Sequence, residues 1–297
     1  MTKRTLRNLQ ERALRAFFLF NGIIAIVALV GIFVLLLTSS FPAFREVDLF
    51  KFLSEKIWDP TAPDIPLYGI LSQIVSSLMV TAVALVIAVP IGIGVAAYLS
   101  DVAHWRVREI VKPVIEVLAA IPSVVIGFLG IVLVGPFLAK ISGRTHGLNA
   151  LNGAVLLAVM SLPTIISISE DALSAVPSAY GEASLALGAS KWQTIVRVKL
   201  PAALSGIIAA IMLGMGRAIG ETMTVLMATG NARSFPTGLF DSVRTLTSNI
   251  AIELGEVPYF TTHYYALFAI GLVLFLMTFL INLLADIFLR KYQEHEL

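Results

Sequence analysis

Long apolar runs separated by short polar segments dominate the pattern of this chain. The apolar runs cover residues 16–37, 70–99, 114–138, 151–168, 202–229 and 264–289. Each is close to or longer than the roughly 20 residues that an α-helix needs to cross a bilayer. We therefore predict an all-α membrane protein with six transmembrane helices.

The basic residues predict how these helices are oriented. Six spans place both termini on one side of the membrane. Thirteen of the 21 lysines and arginines lie on that side, against seven in the other loops. Because positive charge accumulates in cytoplasmic loops, we predict that both termini are cytoplasmic. The first span lacks the short apolar core and small-residue cleavage site of a signal peptide, so we interpret it as an uncleaved helix.

The spacing of the runs predicts the domain organisation. Residues 1–69 hold a basic tail, the first helix and an outer loop with a short interfacial helix near residues 49–57. Residues 70–290 hold a core of five helices, and residues 291–297 form a cytoplasmic tail. A second long outer loop is predicted at residues 230–263. No tandem repeat is visible.

Composition narrows the classes of function. The chain is 58% hydrophobic and 13% charged, with no cysteine and a mean hydropathy of +0.89. Cysteine-based catalysis and metal binding are excluded, and the four histidines lack the spacing of metal ligands. A net charge of +2 does not favour nucleic acid. No phosphate-binding loop is present, so ATP and magnesium, if used, must bind another chain. We expect no catalytic residue, metal or cofactor here.

One polar stretch, residues 182–201, is more than a connection between two membrane helices. Gly188 is placed to end a short helix that starts at the beginning of the stretch. Ser190 and Gln193 have the spacing of a capping box for a second helix, and Pro201 is placed to open the next. Small residues leave one surface of the first helix smooth, which suits docking onto another protein. The alternative is an amphipathic loop on the bilayer surface.

The fifth span carries two charges, Arg217 and Glu221, among three glycines. A charge inside the bilayer usually faces a partner or an aqueous cavity. Four residues apart on one helix, the two side chains share a face and are predicted to pair. They then form either a structural ion pair or an anion-attracting group in a translocation pathway. A guanidinium suits tetrahedral oxyanions because it donates paired hydrogen bonds. Glu116, Glu170 and Asp171 are expected near the inner membrane surface.

The polar stretch resembles the Glu-Ala-Ala loop of ABC importer permeases, which implies the type I importer permease (MetI-like) fold. Ser184 and Val198 depart mildly from the pattern, whereas five residues match it: Glu182, Ala183, Gly188, Leu200 and Pro201. The resemblance implies that this loop is a cytoplasmic coupling helix that sits on the ATP-hydrolysing subunit.

Further segments resemble the PstC-type permeases of bacterial phosphate importers. They are residues 20–22, 121–125, 161–164, 216–223 and 230–232. This resemblance implies a subunit that carries inorganic phosphate across the inner membrane, with Arg217 and Glu221 as pathway residues. The implied partners are a PstA-type second permease, a PstB-type ATPase dimer and a PstS-type periplasmic binding protein.

Other functions stay open at this point. A lone arginine does not distinguish phosphate from sulfate, molybdate or tungstate. A secondary anion transporter or channel would leave the coupling loop unexplained and lacks an inverted repeat. A membrane-embedded enzyme would need a nucleophile with a base or a metal cluster, and the sequence shows neither.

Overall fold

The protein is a bundle of long helices with a small cap at one end. A computed structural model describes residues 3–293, with the side chains of residue 11 and residues 14–287. The helices are α1 (Lys3–Ser40), α2 (Leu49–Ser54), α3 (Leu71–Ala97), α4 (Trp105–Ala119), α5 (Ser123–Leu129), α6 (Gly135–Ser142), α7 (Ala150–Ser174), α8 (Ser178–Ala186), α9 (Lys191–Thr194), α10 (Leu200–Ala202), α11 (Leu204–Gly220), α12 (Met223–Ala228), α13 (Leu246–Glu253) and α14 (Thr262–Gln293). Residues 294–297 of the predicted tail lie outside the described residues.

Short irregular segments join or extend these helices. Two strands, β1 (Trp58–Asp59) and β2 (Leu67–Tyr68), form an antiparallel hairpin that the sequence analysis missed. In the described part of the chain, three segments are π-helical: Tyr98–Val102, Gly130–Val134 and Ile195–Lys199. Such segments are rare and often mark functional positions.

Within the described residues, five helices are long and apolar enough to cross a membrane. They lie within Leu14–Arg45, Leu71–Val102, Ser123–Ser142, Ala150–Ser174 and Thr262–Ile287. A sixth span is formed if Lys191–Ala202 and Leu204–Gly220 are taken together, although they meet at 72°. The prediction of six spans agrees with this count, whereas the division into residues 1–69, 70–290 and 291–297 stays a prediction.

The centre of the bundle is where α3, α7 and α11 touch. Ile165 of α7 is fully buried between two glycines of the neighbouring helices. A Cβ added to Gly92 would lie 2.6 Å from the Ile165 side chain, and one added to Gly214 would lie 2.8 Å from it. Small residues let membrane helices approach closely. Close packing then drives the helices together, because lipid supplies no hydrophobic driving force between them. These two glycines therefore set the spacing of the core.

The predicted third span, residues 114–138, is wrong as a single helix. The chain forms α4 earlier, breaks at residues 120–122, and resumes as α5. Pro122 has no amide hydrogen and disfavours helical backbone in the residue before it. Lys112 of α4 contacts Glu170 (2.6 Å) near the end of α7, while Gly130 packs near Leu156 in the other half of α7. The two pieces therefore follow α7 along most of its length.

The predicted fifth span, residues 202–229, is also broken. The helix α11 ends at Gly220, and Glu221 has extended backbone, with φ −69° and ψ 130°. The Glu221 carboxylate accepts a hydrogen bond from the Thr224 amide at 3.3 Å. Its carbonyl accepts one from the Thr247 hydroxyl at 2.9 Å. Groups at the break are thus bonded within the protein, as an apolar surrounding requires.

A buried carboxylate, Glu253, holds together the end of the bundle formed by residues 41–70 and 229–261, here called the capped end. Its side chain is 8% exposed and accepts hydrogen bonds from Trp58 (2.8 Å) and Arg244 (2.8 Å). It also contacts His263 (2.8 Å) and Arg233 (3.2 Å). Burial alone would raise the pKa of Glu253, but these hydrogen bonds and nearby cations outweigh burial and lower the pKa.

Replacement of Glu253 by alanine should destabilise the capped end. Arg244, whose side chain is 11% exposed, would lose its anion, and breaking such a pair costs roughly 3–5 kcal/mol. The measurement is the thermal unfolding midpoint of the purified protein in detergent. Glu256→Ala, at an exposed carboxylate nearby, is the control and should change little. Equal shifts in both variants would contradict the role assigned to Glu253.

Candidate functional site

The polar stretch forms a helical hairpin at the end of the bundle opposite the cap. The helix α8 begins at Ser178, so Glu182 is its fifth residue and the predicted start at residue 182 is wrong. Pro177 precedes the helix and opens it earlier than expected. Gly188 has φ +86°, in the left-handed region that favours glycine. The turn predicted at Gly188 is confirmed.

The second arm of the hairpin begins as the sequence predicts. The Ser190 hydroxyl accepts a hydrogen bond from the Gln193 amide at 3.2 Å, and the Gln193 side chain accepts one from the Ser190 amide at 2.8 Å. This capping box satisfies two amides that a helix start leaves free. Ser184 and Thr194 join the two arms through their hydroxyls at 3.0 Å. Residues 178–202 are hereafter called the coupling hairpin.

The tip of the coupling hairpin is apolar and exposed. Leu187 is 90% exposed, Trp192 71% and Leu185 50%. Glu182 and Ala183 are also exposed. Bulky apolar side chains clustered around a polar loop mark a surface that another protein or a membrane covers. The sequence analysis did not identify the two leucines, although leucine beside glycine in a polar loop was the available signal.

The other two motif residues connect the hairpin to the bundle. Leu200 is half-buried against a cluster that includes Ala97, Leu173 and Ile207. Pro201 is exposed and lies at the start of α10, as predicted. The chain then bends by 72° into α11, the helix that carries Arg217. One continuous segment therefore links the hairpin to the interior charges.

The two helix breaks meet inside the bundle. The Thr224 hydroxyl of α12 donates a hydrogen bond to the carbonyl of Ser123 in α5 at 3.0 Å. Arg217 donates a long hydrogen bond, 3.4 Å, to the carbonyl of Ala119 at the end of α4. Met160 of α7 touches Thr224 from the side, with its sulfur 3.1 Å from the hydroxyl. Interrupted helices are tolerated at membrane depth where they are buried in protein or line a cavity.

The predicted ion pair between Arg217 and Glu221 is not formed. Among the residues that the structure describes, neither has a salt-bridge partner within 4.0 Å. Arg217 lies in the last turn of α11 and contacts the end of α4, where helix dipoles leave negative partial charge. Glu221 bonds to the amide of Thr224 at the start of α12, where that partial charge is positive. The pairing failed because the helix breaks at Glu221.

The two charges also face different spaces. Arg217 is exposed and lines a cleft of about 520 Å³ between α11 and α14, with Ala209, Met212, Leu213, Gly216, Asn282 and Asp286. A Cβ added to Gly216 or Gly220 would meet no atom within 4 Å, so this side of α11 is unfilled. Glu221 instead lines a small internal cavity with Ser77, Val80, Thr81, Leu157, Ala218, Ile219, Val225, Thr245 and Thr247.

The remaining acidic residues are placed as follows. Glu170 is 1% exposed and pairs with Arg108 and Lys112, while Asp171 is exposed and pairs with Lys112. Glu116 is exposed on α4. Within the described part of the chain, no group of three or more histidine, aspartate or glutamate side chains could hold a metal ion.

Solved structures of ABC transporters contain chains with this fold. A bacterial alginate ABC transporter, crystallised with its alginate-bound periplasmic protein, has a chain with TM-score 0.65 and 16% identity. The match covers 97% of this chain and 98% of that one. The MetNI methionine ABC transporter in an inward-facing form gives TM-score 0.57 at 22% identity, over 75% of this chain and 94% of that one. The fold is that of an ABC importer permease.

Sequence comparisons identify the family. Probable ABC transporter permease protein YqgH of Bacillus subtilis is 39% identical over 96% of this chain and 92% of its own. Phosphate transport system permease protein PstC of Mesorhizobium japonicum is 34% identical over 91% and 87%. Residues 88–294 match the model of the binding-protein-dependent transport system inner membrane component, and the chain belongs to this family.

Membership of this family settles the general role of the chain. It is a multi-pass transport subunit of the cytoplasmic membrane, and ATP hydrolysis belongs to a separate subunit. Its partners are an ATPase, a second permease and a substrate-binding protein. The predicted MetI-like permease fold is therefore confirmed.

Replacement of Gly188 by alanine should impair coupling more than folding. A side chain in the left-handed region costs roughly 1–2 kcal/mol, and the hairpin tip is exposed. We expect a membrane-inserted protein that recruits or stimulates its ATPase poorly, measured by co-purification and ATPase rate. Gly143→Ala is a matched control, because Gly143 also has positive φ (+68°) and open space around it. Equal defects in both variants, or in neither, would contradict a docking role for the hairpin tip.

Proposed function

We propose that this chain is a PstC-type permease subunit that carries inorganic phosphate into the cell. The observation that carries the proposal is Arg217, which is exposed to a cleft between α11 and α14 and contacts the end of α4, where that helix is interrupted. Relatives along most of the chain are named as phosphate permeases. The specific partners would be a PstA-type permease, a PstB-type ATPase dimer and a PstS-type binding protein.

The chemistry of Arg217 supports an oxyanion as the substrate. Its one hydrogen bond in the described structure is the long one to Ala119. Most of the donors of the guanidinium therefore stay available to a ligand. A guanidinium fork matches two oxygens of a tetrahedral anion, and the cation offsets the cost of moving a negative charge through an apolar layer.

Glu221 would serve the pathway differently from Arg217. Its carboxylate caps α12 and its carbonyl is held by Thr247, so it maintains the break that ends α11 beside Arg217. It also places one carboxylate among hydroxyl groups of the internal cavity. We propose both residues as pathway residues, with Arg217 attracting the anion and Glu221 maintaining the interrupted helix.

The coupling hairpin would dock on the ATPase. Glu182, Ala183 and Gly188 lie beside the exposed leucines of its tip, and Leu200 and Pro201 join it to the bundle. ATP and magnesium would bind only to the partner ATPase. Movement of the hairpin would then reach Arg217 through α10 and α11, which follow it directly along the chain.

Both termini are proposed to lie in the cytoplasm, with the coupling hairpin on the same side. A single cysteine at Ser190 should then react only with membrane-permeant reagents in intact cells. One at Ser234, in the capped end, should react with impermeant reagents as well. Both positions are exposed, and the native chain has no cysteine. Labelling of position 190 from outside would contradict the orientation and the ATPase docking together.

Arg217→Gln should abolish phosphate uptake while the complex still assembles. Arg217→Lys should be impaired, because an ammonium keeps the charge but lacks the two-point geometry. Because the two charges are not paired, adding Glu221→Gln to Arg217→Gln should give no recovery. The measurements are uptake of radiolabelled phosphate, its competition by sulfate and molybdate, and the amount of assembled complex.

The control for this series is Arg106→Gln, at an exposed arginine far along the chain from the cleft. It should retain uptake. Recovery of uptake in the double variant would show that Arg217 only balances Glu221. Stronger competition by sulfate or molybdate than by unlabelled phosphate would instead favour another oxyanion as the substrate.

A further inference from the structure

An ion pair joins two of the π-helical segments at the base of the coupling hairpin. Lys199, the last residue of segment Ile195–Lys199, donates to a carboxylate oxygen of Asp101 in segment Tyr98–Val102. The two residues lie 98 positions apart in the chain. The pair therefore connects the hairpin to the segment that follows α3, in addition to the apolar contacts of Ile195 and Leu200 with the end of α3.

This pair is largely removed from solvent. The side chain of Asp101 is 8% exposed and that of Lys199 is 20% exposed. The second carboxylate oxygen of Asp101 is buried and has no hydrogen-bond partner in the described structure. Ala97 and Ile195, from the same two parts of the chain, belong to a buried apolar cluster that also includes Leu173 and Ile207. A buried charge that loses its partner is costly, so movements of the two segments are tied together.

Lys199 contacts the first helix of the coupling hairpin and also pairs with Asp101. A Cβ added to Gly181 of α8 would lie 3.2 Å from the Lys199 side chain, so the lysine stem packs against the first arm. Two residues after Lys199, Pro201 leads to the bend and then to α11. Asp101, on the other side, lies in the π-helical segment that continues α3, the helix that packs along α7. A displacement of α8 would therefore reach α11 along the chain and α3 through the ion pair.

The π-helical segments supply the means of adjustment. In a π-helix, hydrogen bonds join residues five positions apart, whereas in an α-helix they join residues four positions apart. A π-helix is poorly stable by itself. Conversion of one segment to α-helix shifts the residues beyond it by one position. The ion pair joins two such segments. When residues of one segment shift, the other segment must therefore either move with them or resist the shift.

We propose that Lys199 and Asp101 are positioning residues that transmit movement of the coupling hairpin to α3. The proposal rests on the proposed docking of the hairpin on the ATPase. It assigns no contact with substrate to either residue. Without the pair, the hairpin would still dock and ATP would still be hydrolysed, but α3 would follow the movement poorly. Loss of the pair thus lowers the amount of phosphate carried for each ATP hydrolysed.

The test uses the complete complex in proteoliposomes, with Lys199→Met, Asp101→Asn and the charge exchange Asp101→Lys/Lys199→Asp. Phosphate uptake and ATP hydrolysis are measured on the same vesicles, together with the ATPase retained by each complex. We expect each single variant to lower uptake per ATP by about five- to tenfold, a range typical of coupling residues. The exchange should recover at least part of the loss. Lys140→Met, at an exposed lysine outside the coupling hairpin, is the matched control and should keep the wild-type ratio.

Three results would overturn the proposal. Single variants with the wild-type ratio would show that the pair transmits nothing. Loss of uptake in proportion to the loss of ATPase from the complex would show a role in assembly alone. A charge exchange no better than either single variant would show that the pairing itself is not required. A wild-type complex that carries no phosphate, or retains no ATPase, would instead count against the proposed function.

Discussion

Backbone hydrogen bonding in an apolar surrounding limits where the helices of this bundle can be interrupted. Inside a bilayer each free amide or carbonyl must find a partner in the protein. Two helices are nevertheless interrupted inside the bundle, at residues 120–122 and at Glu221. Side chains make this possible, since Thr224 bonds to the Ser123 carbonyl and Thr247 to the Glu221 carbonyl. The interruptions are therefore built features that bring helix ends together inside the bundle.

The interrupted helices also determine where the interior charges Arg217 and Glu221 lie. Arg217 lies where helices end and carbonyls point outward, and Glu221 lies where a helix begins. Each charge is stabilised by the partial charge of a helix end rather than by the other. Arg217 consequently keeps free donors facing a cleft, which a closed ion pair would have occupied. The geometry supports an attraction site for anions more than a packing device.

Polar clusters hold the two ends of the bundle in different ways. At the capped end, Glu253 gathers Trp58, Arg244 and His263 from separate segments into one buried group. At the opposite end, Glu170 binds α4 to α7, and Asp101 binds α3 to the coupling hairpin. The first arrangement fixes the capped end, whereas the second lies at the base of the hairpin that is proposed to dock on the ATPase.

The class of fold could be predicted from the sequence, because apolar runs of membrane length and local turn signals depend only on nearby residues. The turn at Gly188 and the capping box at Ser190 are of this kind, and both were predicted correctly. Tertiary structure decided the rest. The break at Glu221 needs Thr247 from a distant loop, and the pair of Asp101 with Lys199 joins positions far apart in the chain. Such contacts arise only when separate helices pack, so helical spacing alone placed Arg217 opposite the wrong partner.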